Sequence, residues 1–198
     1  MSAEEAEAFM KTSPWPQDIP SAEILAALFS PEEFVGLKAT NQSRASRCRV
    51  ANLPAFFSAA SEPIQFVASS PISGSLGRTQ DGGLSYVAKE CVPVQRFVVV
   101  EFDDVPIAAQ FGRVLFLKRI AAQHAPLAMV LMSGGKSVHS WFMPLSAEAT
   151  DALKTAAVKL GADPAAFRSN QLVRCPNQLR DNGHMQSLLW LSPVAPFQ

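Results

Sequence analysis

The apolar positions in the second half of the chain switch between a period of two and a period near 3.6. Arg96-Phe-Val-Val-Val-Glu-Phe-Asp103 is an apolar run of strand length, rich enough in valine to predict a central strand of a sheet. After Pro106, residues Ile107, Phe111, Val114, Leu115 and Ile120 recur at helical spacing, which predicts a helix to about His124. Leu127–Met132 reads as a second buried strand, and Ser133-Gly-Gly-Lys136 turns the chain into a third, Ser137–Phe142. Ser146 is placed to cap a helix with Leu153, Ala156, Ala157 and Leu160 along one side, and Gly161 is placed to stop it. Gln171–Arg174 and Met185–Leu191 flank Asp181-Asn-Gly183, a strong hairpin signal. The order β-α-β-β-α-β predicts an α+β fold, a split ferredoxin-like (RRM-like) sheet spanning residues 61–198.

The first half is less regular. Residues 1–20 contain Ser13-Pro-Trp-Pro16 and read as an irregular arm. Ala22–Phe29 has helical character, and Ser30-Pro-Glu-Glu33 offers an N-cap, a first-turn proline and two acids for a further helix. Residues 35–60 are mixed, with a short helix expected from Pro54; Ile64–Ala68 is a strand candidate, and the Gly-, Ser- and Pro-rich Ser69–Gly83 is a long loop or a hairpin excursion. Residues 1–60 are thus expected to form an arm and an accessory α/β unit. Residues 192–198, just past the final strand, are expected to mark a domain boundary.

Composition narrows the class. Hydrophobic residues are 48% and charged residues 17% of the 198, the balance of a soluble globular domain. The most apolar runs, Phe97–Val100 and Leu127–Met132, have strand length, so no bilayer span is expected. The acidic N-terminus lacks signal-peptide order, and Cys48, Cys91 and Cys175 have no paired spacing, so free thiols in a cytoplasmic setting are expected. Net charge is zero but unevenly spread: residues 1–33 hold seven acids and one lysine, and the remainder balances them with basic clusters at Arg44/Arg47/Arg49 and Arg168/Arg174/Arg180. Such clusters suit phosphate contact or simple solvation equally well.

Three segments carry candidate chemistry. In an extended chain Glu101 and Asp103 project from the same face, and a buried pair of acids needs a positive partner, for which a divalent cation is the usual answer. Asp104 falls opposite and is expected to cap the following helix. The Ser133–Ser137 turn is not a Walker A loop, because Val130 stands where that motif needs glycine and a strand follows instead of a helix. It still exposes backbone N–H groups beside Lys136, suited to a phosphate. Ser137 and His139 share a face, with Trp141 continuing it as packing. Asp163-Pro164 reads as a helix cap followed by an N1 proline. Arg174 and Arg180, bracketing the last hairpin, suit either solvation or a clamp on phosphate oxygens.

Together, Phe97-Val-Val-Val-Glu-Phe-Asp103, Ser133-Gly-Gly-Lys-Ser-Val-His-Ser-Trp141 and Gln171-Leu-Val-Arg-Cys-Pro-Asn177 with Arg180-Asp-Asn-Gly183 resemble the archaeo-eukaryotic primase superfamily, in particular the prim-pol domains of prokaryotic, phage and plasmid replication proteins. The resemblance spans about residues 64–192. It implies metal-dependent nucleotidyl transfer, with Glu101, Asp103 and Asp163 holding Mg2+ or Mn2+ and His139 acting at the substrate phosphates. Ser137, His139 and Arg174, with Lys136 and Arg180, would bind the incoming nucleotide. It further implies a single-stranded DNA template, dNTP or NTP substrates, a helicase domain or protein as partner, and residence in the cytoplasm of a bacterial cell, the chain being bacterial or encoded by a phage or plasmid. The basic 44–49 stretch and Phe56/Phe57 would track template, although a helix with a buried Phe pair is the better reading of the latter. Two departures stand out: Glu101 replaces the commoner Asp, and the third acid is Asp163 or, less well placed at a hairpin tip, Asp181. Two rival functions share this fold: a metal-dependent nicking nuclease or replication initiator, which needs paired histidines and a tyrosine (only Tyr86 is present), and a non-catalytic nucleic-acid-binding module.

Overall fold

A computed structural model describes residues 3–193; residues 194–198, part of the expected boundary segment, lie outside the described residues. The N-terminal portion runs α1 (Ala3–Met10), α2 (Ser21–Leu28), β1 (Phe34–Lys38), β2 (Ser46–Arg49), α3 (Leu53–Ala59), β3 (Phe66–Ala68) and a small hairpin of β4 (Gly77–Arg78) and β5 (Leu84–Ser85). Then follow β6 (Val98–Glu101), α4 (Ile107–Ala121), β7 (Leu127–Met132), β8 (Val138–Phe142), α5 (Ala147–Lys159), β9 (Leu172–Arg174), β10 (Gln178–Leu179), β11 (Met185–Gln186) and β12 (Leu188–Leu191). The fold is α+β with antiparallel strand pairing throughout the named strands.

Two four-stranded sheets carry the architecture, in the orders β2-β1-β3-β9 and β12-β7-β8-β6. The second contains the split βαβ unit: β6 and β7, joined through α4, lie on either side of β8. Its last strand departs from the ferredoxin-like expectation, because β12 pairs with β7 and not with β6. The valine-rich β6 is therefore an edge strand, not the central one its composition predicts. Its apolarity comes from burial on two faces: Phe97 and Val99 belong to one core cluster, Val98 and Val100 to the other. Its open edge meets the 3-10 turn Pro164–Phe167, where the Asp163 amide donates to the Glu101 carbonyl at 3.2 Å.

One core layer is filled by α2, the inward face of the N-terminal sheet and one face of the second sheet, with Leu25, Val35, Val67, Met129 and Trp141 in a single cluster. The other lies between the second sheet and α4 and α5, around Val100, Phe111, Val130 and Leu153. Ser146 caps α5 by accepting from the Ala149 amide at 3.1 Å, and Gly161 ends that segment at φ 88°, where only glycine is unstrained.

Four local expectations are corrected. Residues 1–20 are not an irregular arm throughout, because Ala3–Met10 forms α1, whose Phe9 stacks on Trp190 at 5.1 Å. Ser30-Pro-Glu-Glu33 starts no helix: Glu33 accepts from the Ser30 amide at 2.9 Å in a turn, and the alternation of Val35 and Leu37 takes the chain into β1. Asp104 does not cap α4, whose N-cap is Pro106; it pairs with Arg113 at 3.2 Å. The strand Leu172–Arg174 does not flank the last hairpin but pairs with β3, and the hairpin around Asp181-Asn-Gly183 is built from β10 and β11. No helix among the described residues is long and apolar enough to cross a membrane. The three cysteines are free and buried.

Candidate active site

The register of β6 on β8 sets Glu101 directly opposite His139. Alternation places Ser137, His139 and Trp141 on the same face of β8, and Glu101 on the matching face of β6. The side chains meet: Ser137 Oγ donates to Glu101 Oε1 at 3.0 Å, His139 Nε2 lies 3.3 Å from the same oxygen, and Ser133 Oγ is 3.0 Å from Ser137 Oγ. Trp141 is fully buried packing.

These groups open onto a cleft of about 360 Å³ lined by Glu101, Asp103, Lys136, Ser137, His139, Arg174 and Arg180, with Phe66 and Gln171 among the remaining walls. Six chemistry-bearing residues from three separate sequence segments are thus gathered with Arg180 at one place.

The electrostatics divide the two acids. Burial works to raise the Glu101 pKa, but hydrogen bonding and charge from His139, with contributions from Asp103 and Ser137, outweigh it and hold the group at about 2. Asp103 is exposed, against the expectation of a buried pair of acids; partial desolvation and then the adjacent Glu101 shift it up, against the opposing pull of Ser137 and Lys136. Two hard oxygen donors in a cleft with three cationic side chains suit a divalent ion that shares its coordination with substrate phosphates, since Mg2+ is commonly held by one or two carboxylates plus such oxygens. The expected third acid does not join them. Asp163 Oδ1 accepts from the Ala165 amide at 2.8 Å as the cap of the 3-10 turn, and among the described residues no group of three or more His, Cys, Asp or Glu is arranged to hold a metal. Asp181 is likewise not among the cleft residues.

The basic side chains differ in role. Arg174 is half-buried, with its guanidinium 4.6 Å from the Phe66 ring; burial and the neighbouring Arg180 lower its pKa, opposed by Asp181 and Glu101. Arg180 reaches behind the glycine turn, donating to the Gly134 carbonyl at 3.1 Å, while its Nε is buried and unpartnered among the described residues, as is His139 Nδ1. Gly134 is required there: φ is 71°, and a Cβ would fall 2.9 Å from both Arg180 Cδ and the Met185 carbonyl oxygen. Lys136 is exposed at the rim.

Sequence reading missed Gln110. Fully buried on α4, it donates from Nε2 to the Val105 carbonyl at 2.9 Å and to the Lys136 carbonyl at 2.8 Å, and accepts from the Val138 amide at 2.7 Å. It ties the loop after Asp103 to the Ser133–Ser137 turn. Its signal in the sequence is an amide at a core-facing position beside Phe111.

Tyr86 lies outside the cleft against Arg47, and His124 and His184 are not among the cleft residues, so no paired histidines and tyrosine are assembled here. No family model matches the chain, and no curated protein matches it. Among solved structures, the crystal structure of primase RepB' is similar over 87% of this chain and 57% of that one, at 15% identity and a TM-score of 0.48. The chain therefore spans little more than half the length of that primase.

Proposed function

We propose that the chain is a metal-dependent nucleotidyltransferase of the primase-polymerase type, building or extending DNA on a single-stranded template from dNTPs or NTPs. The observation that carries this reading is the meeting of Glu101 and Asp103 with Ser137, His139, Lys136, Arg174 and Arg180 in one cleft. The two carboxylates would hold Mg2+ or Mn2+, which when bound supplies Lewis-acid activation of a 3′-hydroxyl and charge neutralisation at the leaving pyrophosphate. The protein's own contribution is positional. Arg174 and Lys136 bind triphosphate oxygens, and the glycine turn presents backbone N–H groups to them. Ser137 and His139 fix the ionised Glu101 carboxylate, and Gln110 and Arg180 hold the turn in place. A split βαβ sheet of the ferredoxin-like kind, with its final strand moved to the other edge, supplies the platform; a helicase partner fits the same reading.

The test is primer synthesis and extension on single-stranded DNA with dNTPs or NTPs and Mn2+ or Mg2+. Asp103→Ala is expected to abolish both, on the order of a thousandfold. Full synthesis by Asp103→Ala would refute the assignment, and nicking of supercoiled plasmid by the wild-type protein without synthesis would replace it.

A further inference from the structure

Every cation in the strands of the N-terminal sheet stands on one face of it. Arg49 lies opposite Phe34 and Arg47 opposite Gly36 across β1 and β2; Lys38 lies opposite Phe66, and Phe66 opposite Arg174. Because side chains alternate along a strand, Lys38, Arg47, Arg49 and Arg174 all point away from the core, while Val35, Leu37, Cys48, Val67 and Val173 point into it. The four strands contain no acid at all. A merely solvated face carries both signs.

Aromatic rings are interleaved with these cations. The Arg47 guanidinium lies 5.3 Å from the Phe34 ring centroid and 5.1 Å from that of Tyr86, and the Arg49 guanidinium lies 5.0 Å from Phe34. Among the described residues, no carboxylate forms an ion pair with Lys38, Arg44, Arg47 or Arg49. Arg47 and Arg49, both exposed, border an open groove of about 470 Å³ shared with Phe34, Asn52, Ala55 and Phe56. The loop after β3 crosses the middle of the face, where a Cβ on Gly36 would fall 2.3 Å from Val87 Cγ1. It leaves cations on both sides: Lys38 and Arg174 toward the cleft, Arg47 and Arg49 at the outer edge. Three inter-strand spacings, roughly 14 Å in all, separate the strand of Arg174 from that of Arg47.

We propose that this face is the path of a single-stranded nucleic acid leading to the cleft, its phosphates on Arg174, Lys38, Arg47 and Arg49 and its bases against Phe34, Tyr86 and Phe56. A cationic track with ring faces beside it suits unpaired bases, whose π-surfaces a duplex keeps stacked away. The proposal extends the nucleotidyl-transfer reading by locating the template, but strand binding itself needs no chemistry at Glu101 or Asp103.

The experiment is fluorescence anisotropy of a labelled oligothymidylate against salt, with R47Q/R49Q as the variant and Mn2+-dependent dNTP binding by calorimetry in parallel. The double variant is expected to bind the oligonucleotide about tenfold more weakly, and the slope of log K against log salt to fall by about 1.4, the share of two single-strand phosphate contacts. Its dNTP binding and thermal melting are expected to match wild type. Unchanged oligonucleotide affinity in the double variant overturns the proposal, as does duplex of equal length binding as tightly and responding in the same way. Oligonucleotide binding that responds while wild-type dNTP binding is absent supports this path and refutes the nucleotidyl-transfer reading alone.

Discussion

Asp163 touches the site through its backbone and leaves it through its side chain: the amide donates to Glu101, while the carboxylate caps its own 3-10 turn. Asparagine caps as well as aspartate. Asp163→Asn is therefore expected to change stability by no more than about 0.5 kcal/mol and to keep primer synthesis within about twofold. A loss approaching that of Asp103→Ala would make it a metal ligand. At this scale the sequence was most legible where chemistry follows from a strict period. Alternation along an extended chain is geometry, so Ser137 and His139 share a face as the spacing requires. The direct opposition of Glu101 and His139 was not legible, because register between strands distant in sequence depends on the connection and on packing, not on either strand's own pattern.

The turn between β7 and β8 depends on a side chain that never touches solvent. Gln110 satisfies three backbone groups, so Gln110→Leu leaves the Val138 amide and the Lys136 and Val105 carbonyls without that partner. Chemical denaturation should show a loss of about 2–4 kcal/mol. Calorimetry should show weakened nucleotide binding in the same variant, and unchanged binding would reduce Gln110 to a purely structural role. Long periodic elements were readable: β7 has the bounds the apolar run predicts and α5 follows its helical stripe, whereas α4 forms where expected but turns Ile120 to solvent and buries Leu117, which the predicted stripe lacks. Edge and centre were not, since β6 owes its valines to two covered faces and a covered edge. The short β9 went to the wrong partner for a related reason. Three residues with a single fully buried position, Val173, carry too little pattern to choose between two sheets.

Across the whole molecule, the N-terminal and C-terminal segments share a core, and their joint includes an ion pair. Arg96, just before β6, engages both carboxylate oxygens of Glu33, just before β1, with each side chain about one-fifth exposed. Arg96→Met is expected to cost about 2 kcal/mol in equilibrium unfolding, and a value near zero would show the joint to be carried by apolar packing alone. Cys175 adds a pH term. Its complete burial raises the thiol pKa far above the ordinary range, so the native state keeps a proton that the unfolded chain releases. That contribution is full below the ordinary thiol pKa and is lost as pH climbs above it, by about 1.4 kcal/mol per pH unit. Cys175→Ala should flatten this alkaline decline in thermal melting. The central claim is that Glu101 and Asp103 hold a cation together with a triphosphate, and electron paramagnetic resonance of Mn2+ titrated with and without dNTP tests it most directly. Wild type should bind Mn2+ more tightly when dNTP is present, and Glu101→Gln/Asp103→Asn should lose that gain. Equal Mn2+–dNTP binding by the wild-type and doubly substituted proteins would contradict the account.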